Sequence, residues 1–436
     1  MPTIKQLLLS EAPVSGIMIG NTAVVRAMVE SGTRVVTAYP GSPTPEIANA
    51  IATMPVAERP FYFEFSTNEK VATEVAFGAA VNGHLSCVFF KSVGLNVAAD
   101  SFVQLAHMNV IGGMVIIIGD DPGANSSQNE QDNRHYARLS YTPLFEPSSA
   151  QESYDMYKEA ARLSQETGRP VMLRMTTHVC HAKERVTFAG WEAKPVDDSP
   201  RFAVGNGPYI PIASLVFPMK EKALANREVV RQYANKSPLN RFIDNRNPMR
   251  GIITAGLPAR SVLDVLEGVP GAPDILVLGI VYPLATNKVA AFLRGHSEVR
   301  ILEELDDFLE QEIKSVAYDR SIRGRIVGKT TPDDWMGEYT PARVAAMLRK
   351  TWPDLAISQP VEPVESCSPR PPQMCPGCSH RTAFHAVQLA LGAEDITVGD
   401  IGCHTLGFLE PYEVGQVLLS MGHSMGTAAG MRLFNE

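Results

Sequence analysis

The chain reads as an α/β protein built on parallel sheets with helices on both faces. Two observations predict this. Short runs that are apolar throughout recur across residues 16–180 and again from Gly251 to about Trp352, and helical patterns separate them. Strands of that kind, buried on both sides, belong to parallel sheets covered by helices.

Composition agrees and narrows the function classes. At 436 residues, with 45% hydrophobic and 20% charged side chains, the sequence suits an ordinary globular enzyme of roughly two to four domains. The net charge of −8 comes from 39 basic against 47 acidic residues. No basic tract stands out, which argues against a nucleic-acid partner. The N-terminal stretch MPTIKQLLLSEAPVSG is too weakly charged and too briefly apolar for a signal peptide. The most apolar run, Val110 to Gly119, is about half the length that a membrane-spanning helix needs. A cytoplasmic protein without a membrane partner is therefore expected. Three of the six cysteines, Cys375, Cys378 and Cys403, cluster late in the chain, which suits metal binding rather than a disulfide framework.

In chain order, a strand at Ile17–Ile19 precedes a helix from Thr22 to Glu30, stopped at Gly32. The strand Val35–Ala38 leads into the turn YPGSPTPEI, where Thr44 is placed to cap a helix with Pro45 at its first position. Phe61–Phe65, Leu85–Phe90, Met114–Ile118 and Val171–Met175 complete a first domain, residues 1–185. Ligands of such sheets sit beyond the carboxyl ends of the strands. The polar segments there are Tyr39–Thr44, Ser66–Glu69, Lys91–Asn96 and Asp120–Arg134. The last is long and polar; a solvated loop explains it, although long loops in compact domains are more often functional.

Residues 186–248 lose periodicity and gather prolines, with basic, helix-prone material around Lys220–Lys236, and read as a linker. A second α/β unit, 249–355, carries strands at Gly251–Thr254, Ile275–Leu278 and Glu298–Leu302. The acidic run Glu303–Glu312 is expected to be a solvated turn and helix start. A proline-rich stretch, Gln359–Pro376, marks the next boundary. The final unit, 366–436, is predicted to hold a helix at Arg381–Leu391 and strands at Ile396–Val398 and Val417–Ser420. Its glycines at 422, 426 and 430 suit close backbone approach to a diphosphate. So short a unit has too little material for an independent core.

Several side chains have both a structural and a chemical reading. Ser66-x-x-Glu69 fits a capping box, in which the glutamate only satisfies a helix-start amide. Ser42 lies in a Pro-Gly-Ser-Pro turn that turn chemistry alone explains. Lys91 could pair with an acid or face an anionic ligand, and Asn96 and Asp100 suit helix-end hydrogen bonding. Cys375-Pro-Gly-Cys378 with Cys403 leaves three states open. A [4Fe–4S] cluster needs a fourth cysteine, for which Cys367 is nearest; zinc would add His380 or His404; or no metal binds.

The stretches TAYPGSPTPEI (37–47), STNEKVATEVAFGAAVNG (66–83), KSVGLNVAAD (91–100) and IIGDDPGANSSQNEQDNRHYARL (117–139) resemble the large subunits of indolepyruvate:ferredoxin oxidoreductases. RILEELDDFLEQE (300–312), MCPGCSHR (374–381) and VGDIGCHTLG (398–407) do so too, and the likeness follows nearly the whole chain in order. The resemblance implies the parallel-sheet, thiamine-diphosphate-binding fold shared with transketolase and pyruvate:ferredoxin oxidoreductase. It implies oxidative decarboxylation of a 2-oxoacid, with coenzyme A taking the acyl group and ferredoxin the electrons, in a hetero-oligomer with a small beta subunit. Glu69 matches the carboxylate that hydrogen-bonds the cofactor's aminopyrimidine. Ser42 matches the hydroxyl that faces the substrate carboxylate. Gly41, Asn96, Gly422, His423, Ser424, Met425 and Gly426 are the further cofactor-binding candidates, and Cys375, Cys378 and Cys403 match three cluster ligands.

The family's Gly-Asp-Ser-type segment, which holds Mg²⁺ and the diphosphate, and its cysteine-rich ferredoxin-like module are not found before Glu436. The expectation is a component whose missing half comes from another polypeptide, inactive when purified alone. The alternatives are a truncated non-catalytic relative unable to hold Mg²⁺-thiamine diphosphate alone, and a non-redox 2-oxoacid decarboxylase component. The cysteine trio favours redox chemistry over the last of these.

Overall fold

The computed structural model describes residues 2–192, 199–358 and 373–433. The chain divides into two compact units, Met1–Pro360 and Val361–Glu436.

The first unit opens with α1 (Ile4–Leu9), β1 (Val14–Met18), α2 (Gly20–Glu30) and β2 (Val35–Ala38). Next come α3 (Pro45–Ala52), β3 (Tyr62–Phe65), α4 (Glu69–Val81), β4 (Ser86–Lys91), α5 (Gly94–Leu105) and β5 (Met114–Asp120). After a long loop follow α6 (Arg134–Ser140), β6 (Leu144–Phe145), α7 (Ala150–Thr167), β7 (Val171–Thr176), the short α8 (Thr177–His181) and β8 (Glu184–Phe188). The region read as a linker contains a 24-residue helix, α9 (Ala213–Lys236), and β9 (Asn240–Ile243). The unit continues through β10 (Arg250–Thr254), α10 (Gly256–Leu266), β11 (Asp274–Leu278), β12 (Ile280–Tyr282), α11 (Thr286–Gly295) and β13 (Glu298–Leu302). It closes with α12 (Phe308–Asp319), β14 (Arg325–Val327) and α13 (Pro341–Thr351).

Seven strands form one sheet in the order β12-β6-β7-β5-β4-β2-β3, parallel throughout except that β12 runs against β6. Its central strands alternate faces. Cys87, Phe89, Val115, Ile117 and Leu173 join a core with α2 and α7 on one side, while Val88, Phe90, Ile116, Ile118 and Met172 join a core with α4 and α5 on the other. A period of two with both faces buried is what the continuous apolar runs predict. The second sheet, β14-β13-β10-β11-β9, is parallel apart from β9. Ile253, Leu276 and Val299 share the α4–α5 core, and Ile252, Ile275 and Val277 pack with α10 and α13.

Three expectations need correction. Among the described residues, the strand near Ile17 joins neither large sheet; β1 pairs with β8 alone, in an antiparallel ribbon. The acidic run is only partly solvated: Asp306, Asp307 and Glu312 are half-exposed, but Glu303, Glu304 and Glu310 are 2%, 2% and 5% exposed. Glu303 accepts the amides of Leu309 and Glu310 (both 2.8 Å) at the start of α12, and Glu304 accepts that of Tyr339 (2.8 Å). In the second unit the two expected strands reduce to a single parallel bridge, Val398 to Val417, among the described residues. That unit holds α14 (Ser379–Ala390) and α15 (Ser424–Arg432), neither of which has a buried residue. With so little apolar packing, strand pairing there has nothing to lean on.

Candidate active site

In the larger sheet β2 lies between β3 and β4, so the chain steps one way after β2 and the other way after β3. That reversal opens a crevice at the carboxyl ends of β2 and β4. All four predicted segments lie at the carboxyl ends of this sheet, after β2, β3, β4 and β5.

Glu69 is the first residue of α4 and is 2% exposed. The predicted capping box does not form. Ser66 donates its hydroxyl to Glu64 (2.8 Å), and Asn68 caps the helix by accepting the amide of Val71 (2.9 Å). Glu69 is thereby released from a capping duty that its spacing allowed. Its carboxylate lies against Gly94, where an added Cβ would come within 2.6 Å of Glu69 Oε1 and 2.7 Å of its Cγ. Burial pushes the Glu69 carboxyl above the usual glutamate range, opposed by its own backbone amide and by the nearby Lys91 charge.

The β2 turn approaches from the other side. Ser42 is exposed, and the Ser42–Pro43 peptide is cis. Thr44 caps by position only, since its hydroxyl turns back to the Gly41 carbonyl (2.9 Å). Gly41 admits the stem of Lys91, whose Cδ, Cγ and Cβ would lie 2.7–3.0 Å from a Cβ placed there. From α2, the fully buried Asn21 donates to the Pro43 carbonyl (2.7 Å) and to Glu46 (3.0 Å), which His181 also meets at 3.2 Å.

Asn96 and Asp100 do not bond helix ends. Asn96 is exposed; its amide donates to Gln131 (2.8 Å), and its oxygen accepts from Gln131 (3.0 Å) and Tyr136 (2.9 Å). Asp100 accepts from Lys70 (2.9 Å). The 121–133 loop is not simply solvated either. Asn133 donates to Ser92 O (3.2 Å) and to Asp120, and Asp121 accepts the Ser126 amide (2.8 Å) and the Thr177 hydroxyl (2.7 Å).

Under this edge lies a buried ionic frame that the sequence did not reveal. Arg174 pairs with Asp120 (2.5 Å) and Glu146. Arg134 holds Asp132 (2.5 Å) and Glu303 (2.7 Å) and also donates to the carbonyls of Glu304 and Asp306. Burial alone would raise both Asp132 and Glu303; the Arg134 charge keeps Asp132 well below the carboxylate range, whereas Glu303 stays raised. Asp132, His135 and Asp306 form the one set of three metal-capable ligand atoms within 4.8 Å among the described residues. Asp132 is already held from two directions by Arg134, which argues against a metal there.

In the second unit the glycine-rich turn gathers around Asp400. The Asp400 carboxylate accepts the Gly422 amide (2.8 Å) and the Ser424 hydroxyl (2.9 Å), which hold its acid below the usual range. His423 meets Thr427 (2.8 Å) and the Leu419 amide (2.9 Å), Met425 is 82% exposed, and a Cβ at Gly426 would meet nothing within 4 Å. These amides can face an anion, but the anion they face is Asp400. VGDIGC was the visible signal for that aspartate.

Cys375 and Cys403 are exposed and Cys378 is half-buried, with its sulfur 3.3 Å from His380 Nδ1. The three thiols are not drawn into one ligand set among the described residues. Cys367 lies outside those residues. A cavity of about 690 Å³ opens along β9 and α11 beside Phe242, Phe292 and His296, and none of the candidate residues line it.

As a fit test for thiamine diphosphate, the two halves differ. A buried carboxyl with a raised pKa at a helix start, packed against a glycine, suits a ring nitrogen. The glycine turn as it stands serves a carboxylate instead.

Residues 26–237 match the family model described as "Pyruvate flavodoxin/ferredoxin oxidoreductase, thiamine diP-bdg". Indolepyruvate oxidoreductase subunit IorA of Methanothermobacter thermautotrophicus is 40% identical over 95% of this chain, which spans 68% of that protein. The subunit of the same name from Pyrococcus abyssi is 36% identical over 96% of this chain and 66% of its own length. Among solved structures, 2-oxoglutarate:ferredoxin oxidoreductase from Magnetococcus marinus superposes with a TM-score of 0.60 at 15% identity, over 77% of this chain and 65% of that one. At that identity the likeness concerns fold alone. No helix among the described residues is long and apolar enough to cross a membrane.

Proposed function

The chain belongs to the family of indolepyruvate oxidoreductase IorA subunits, and from that premise we propose that it is the cofactor-activating component of an oxidoreductase that decarboxylates an aryl-2-oxoacid such as indolepyruvate. The observation that carries this reading is Glu69: buried, raised in pKa, uncommitted to capping and set at the crevice between β2 and β4.

Bound thiamine diphosphate would supply a thiazolium carbon that attacks the 2-oxo group and accepts the electrons released with CO₂. Glu69 would hold a proton against the aminopyrimidine ring nitrogen. Burial fits it for this, since raising a carboxyl's pKa brings it closer to that of a weakly basic ring nitrogen. Ser42, exposed on the β2 turn, would face the substrate carboxylate. Gly41 keeps that turn close to β4, and Asn96 braces the 121–133 loop over the crevice. Gly422, His423, Ser424, Met425 and Gly426 would approach the diphosphate once Asp400 gives up the Gly422 amide and the Ser424 hydroxyl, with Mg²⁺ ligands supplied mostly by another polypeptide. Cys375, Cys378 and Cys403 would contribute to a [4Fe–4S] cluster. Coenzyme A, ferredoxin and a small beta subunit in a cytoplasmic hetero-oligomer complete the reading.

One observation favours a second reading, a relative that holds the cofactor poorly by itself: Asp400 already engages the Gly422 amide and the Ser424 hydroxyl of the glycine turn. Two measurements separate them. Titration of the chain with Mg²⁺ and thiamine diphosphate reports binding, and viologen reduction with indolepyruvate and coenzyme A reports turnover, each with and without the small subunit. Saturable binding and subunit-dependent turnover support the first reading. Absence of both in the reconstituted complex overturns it.

A further inference from the structure

We propose that the Lys91 ammonium anchors the carboxylate of the 2-oxoacid, as a second contact beside the Ser42 turn. This rests on the reading of the crevice as a 2-oxoacid site.

Place is the first argument. Lys91 ends β4, one of the two strands that bound the crevice. Its stem runs against Gly41, the residue before Ser42. Its charge acts on Glu69 and on Asp121, and its ammonium donates to the Ser126 carbonyl in the loop after β5 (3.0 Å).

Unused bonding capacity is the second. An ammonium carries three donors, and the contact seen here is one hydrogen bond, to the Ser126 carbonyl (3.0 Å). Other cations of this edge are committed. Arg174 is paired with Asp120 and Glu146, Arg134 with Asp132 and Glu303, and Lys70 with Glu74 and Asp100. Among the described residues Lys91 forms no ion pair within 4 Å, although half-buried.

Electrostatics is the third. Asp121 would repel an incoming carboxylate, and an exposed Ser42 hydroxyl offers one neutral donor against that charge. Lys91 offsets the Asp121 charge, and partial burial reduces solvent screening of its own. Burial also pulls its pKa below the usual lysine range, opposed by Asp121 and Glu69.

The test uses the chain in complex with its small subunit, as wild type, Lys91→Met and Lys91→Arg. Methionine keeps an apolar stem against Gly41, and arginine keeps the charge. Calorimetry compares an arylpropanoate, which has the carboxylate, with the matching arylpropanamide, which does not. Wild type should prefer the carboxylate. Lys91→Met should lose that preference, with affinity for the acid falling roughly 10- to 100-fold and KM for the 2-oxoacid rising in step. Lys91→Arg should recover most of it, while melting temperature stays close to wild type. No preference in wild type, or an unchanged one in Lys91→Met, would overturn the assignment, whatever happens to melting. A complex that binds the acid through Lys91 but never turns over a 2-oxoacid would overturn the function reading and leave this one standing.

Discussion

Arg134→Met removes one side chain and strands two buried anions. Arg134 is 1% exposed; it holds Asp132 through Nε (2.9 Å) and Nη2 (2.5 Å), Glu303 through Nη1 (2.7 Å), and the Glu304 and Asp306 carbonyls at 2.7 and 3.0 Å. Methionine fills much of the volume but supplies no charge and no donor. Asp132 keeps the Arg134-position amide and Glu303 keeps two amides of α12, so neither is wholly unsatisfied. Breaking a buried ion pair by deleting one partner typically costs about 3–5 kcal/mol. The surviving amide bonds place this site toward the lower end of that range, about 3 kcal/mol. Equilibrium denaturation in urea with an unchanged m-value measures it. Adding Glu303→Gln to Arg134→Met should recover part of the loss, because one stranded charge is removed. A cost below about 1 kcal/mol, or no recovery in the double variant, would refute the view that this frame ties the 121–134 loop to the acidic run.

Glu304 is fully enclosed, its Oε2 has no partner, and burial pushes its pKa up to about 7. Below the ordinary glutamate pKa both folded and unfolded chains hold the proton. Between that value and about 7 only the folded chain retains it, so stability falls as pH rises through this window, by about 3 kcal/mol in all. Glu304→Gln should therefore melt higher than wild type at pH 8 and converge with it near pH 5; parallel melting curves at both would contradict the assignment. Gly94→Ala drives a methyl into Glu69 at 2.6 Å. It should lower turnover of the reconstituted complex about 100-fold through misplacement of the carboxylate, with a stability loss of about 1–3 kcal/mol. Unaltered turnover would show that the carboxylate position is immaterial.

Much of this arrangement was legible in the sequence for one physical reason. Strands buried on both faces are largely apolar, so Val35–Ala38 comes out with its observed bounds, as does Glu298–Leu302 despite Glu298 and Arg300. The carboxyl-edge segments followed from topology alone. What stayed hidden is charge that folding buries in pairs. Glu303 and Arg134 lie 169 positions apart, and in isolation each looks like surface. Glu69 shows the opposite difficulty. Ser66 opens a Ser-x-x-Glu signature that predicts a helix cap, but the neighbouring Asn68 takes the cap and leaves the Glu69 carboxylate to other chemistry. The weak strands near Val398 and Val417 were overestimated because a run of apolar residues needs a covering layer to become a sheet.

The most direct test of Glu69 is the exchange of the thiazolium C2 proton with solvent deuterium in the loaded complex, wild type against Glu69→Gln, with cofactor occupancy checked in both. If Glu69 holds the proton that activates the ring, exchange in Glu69→Gln should fall about 100-fold or more while the cofactor stays bound. Exchange within about twofold of wild type at full occupancy would leave Glu69 as a buried helix-start carboxyl and contradict its role in the chemistry.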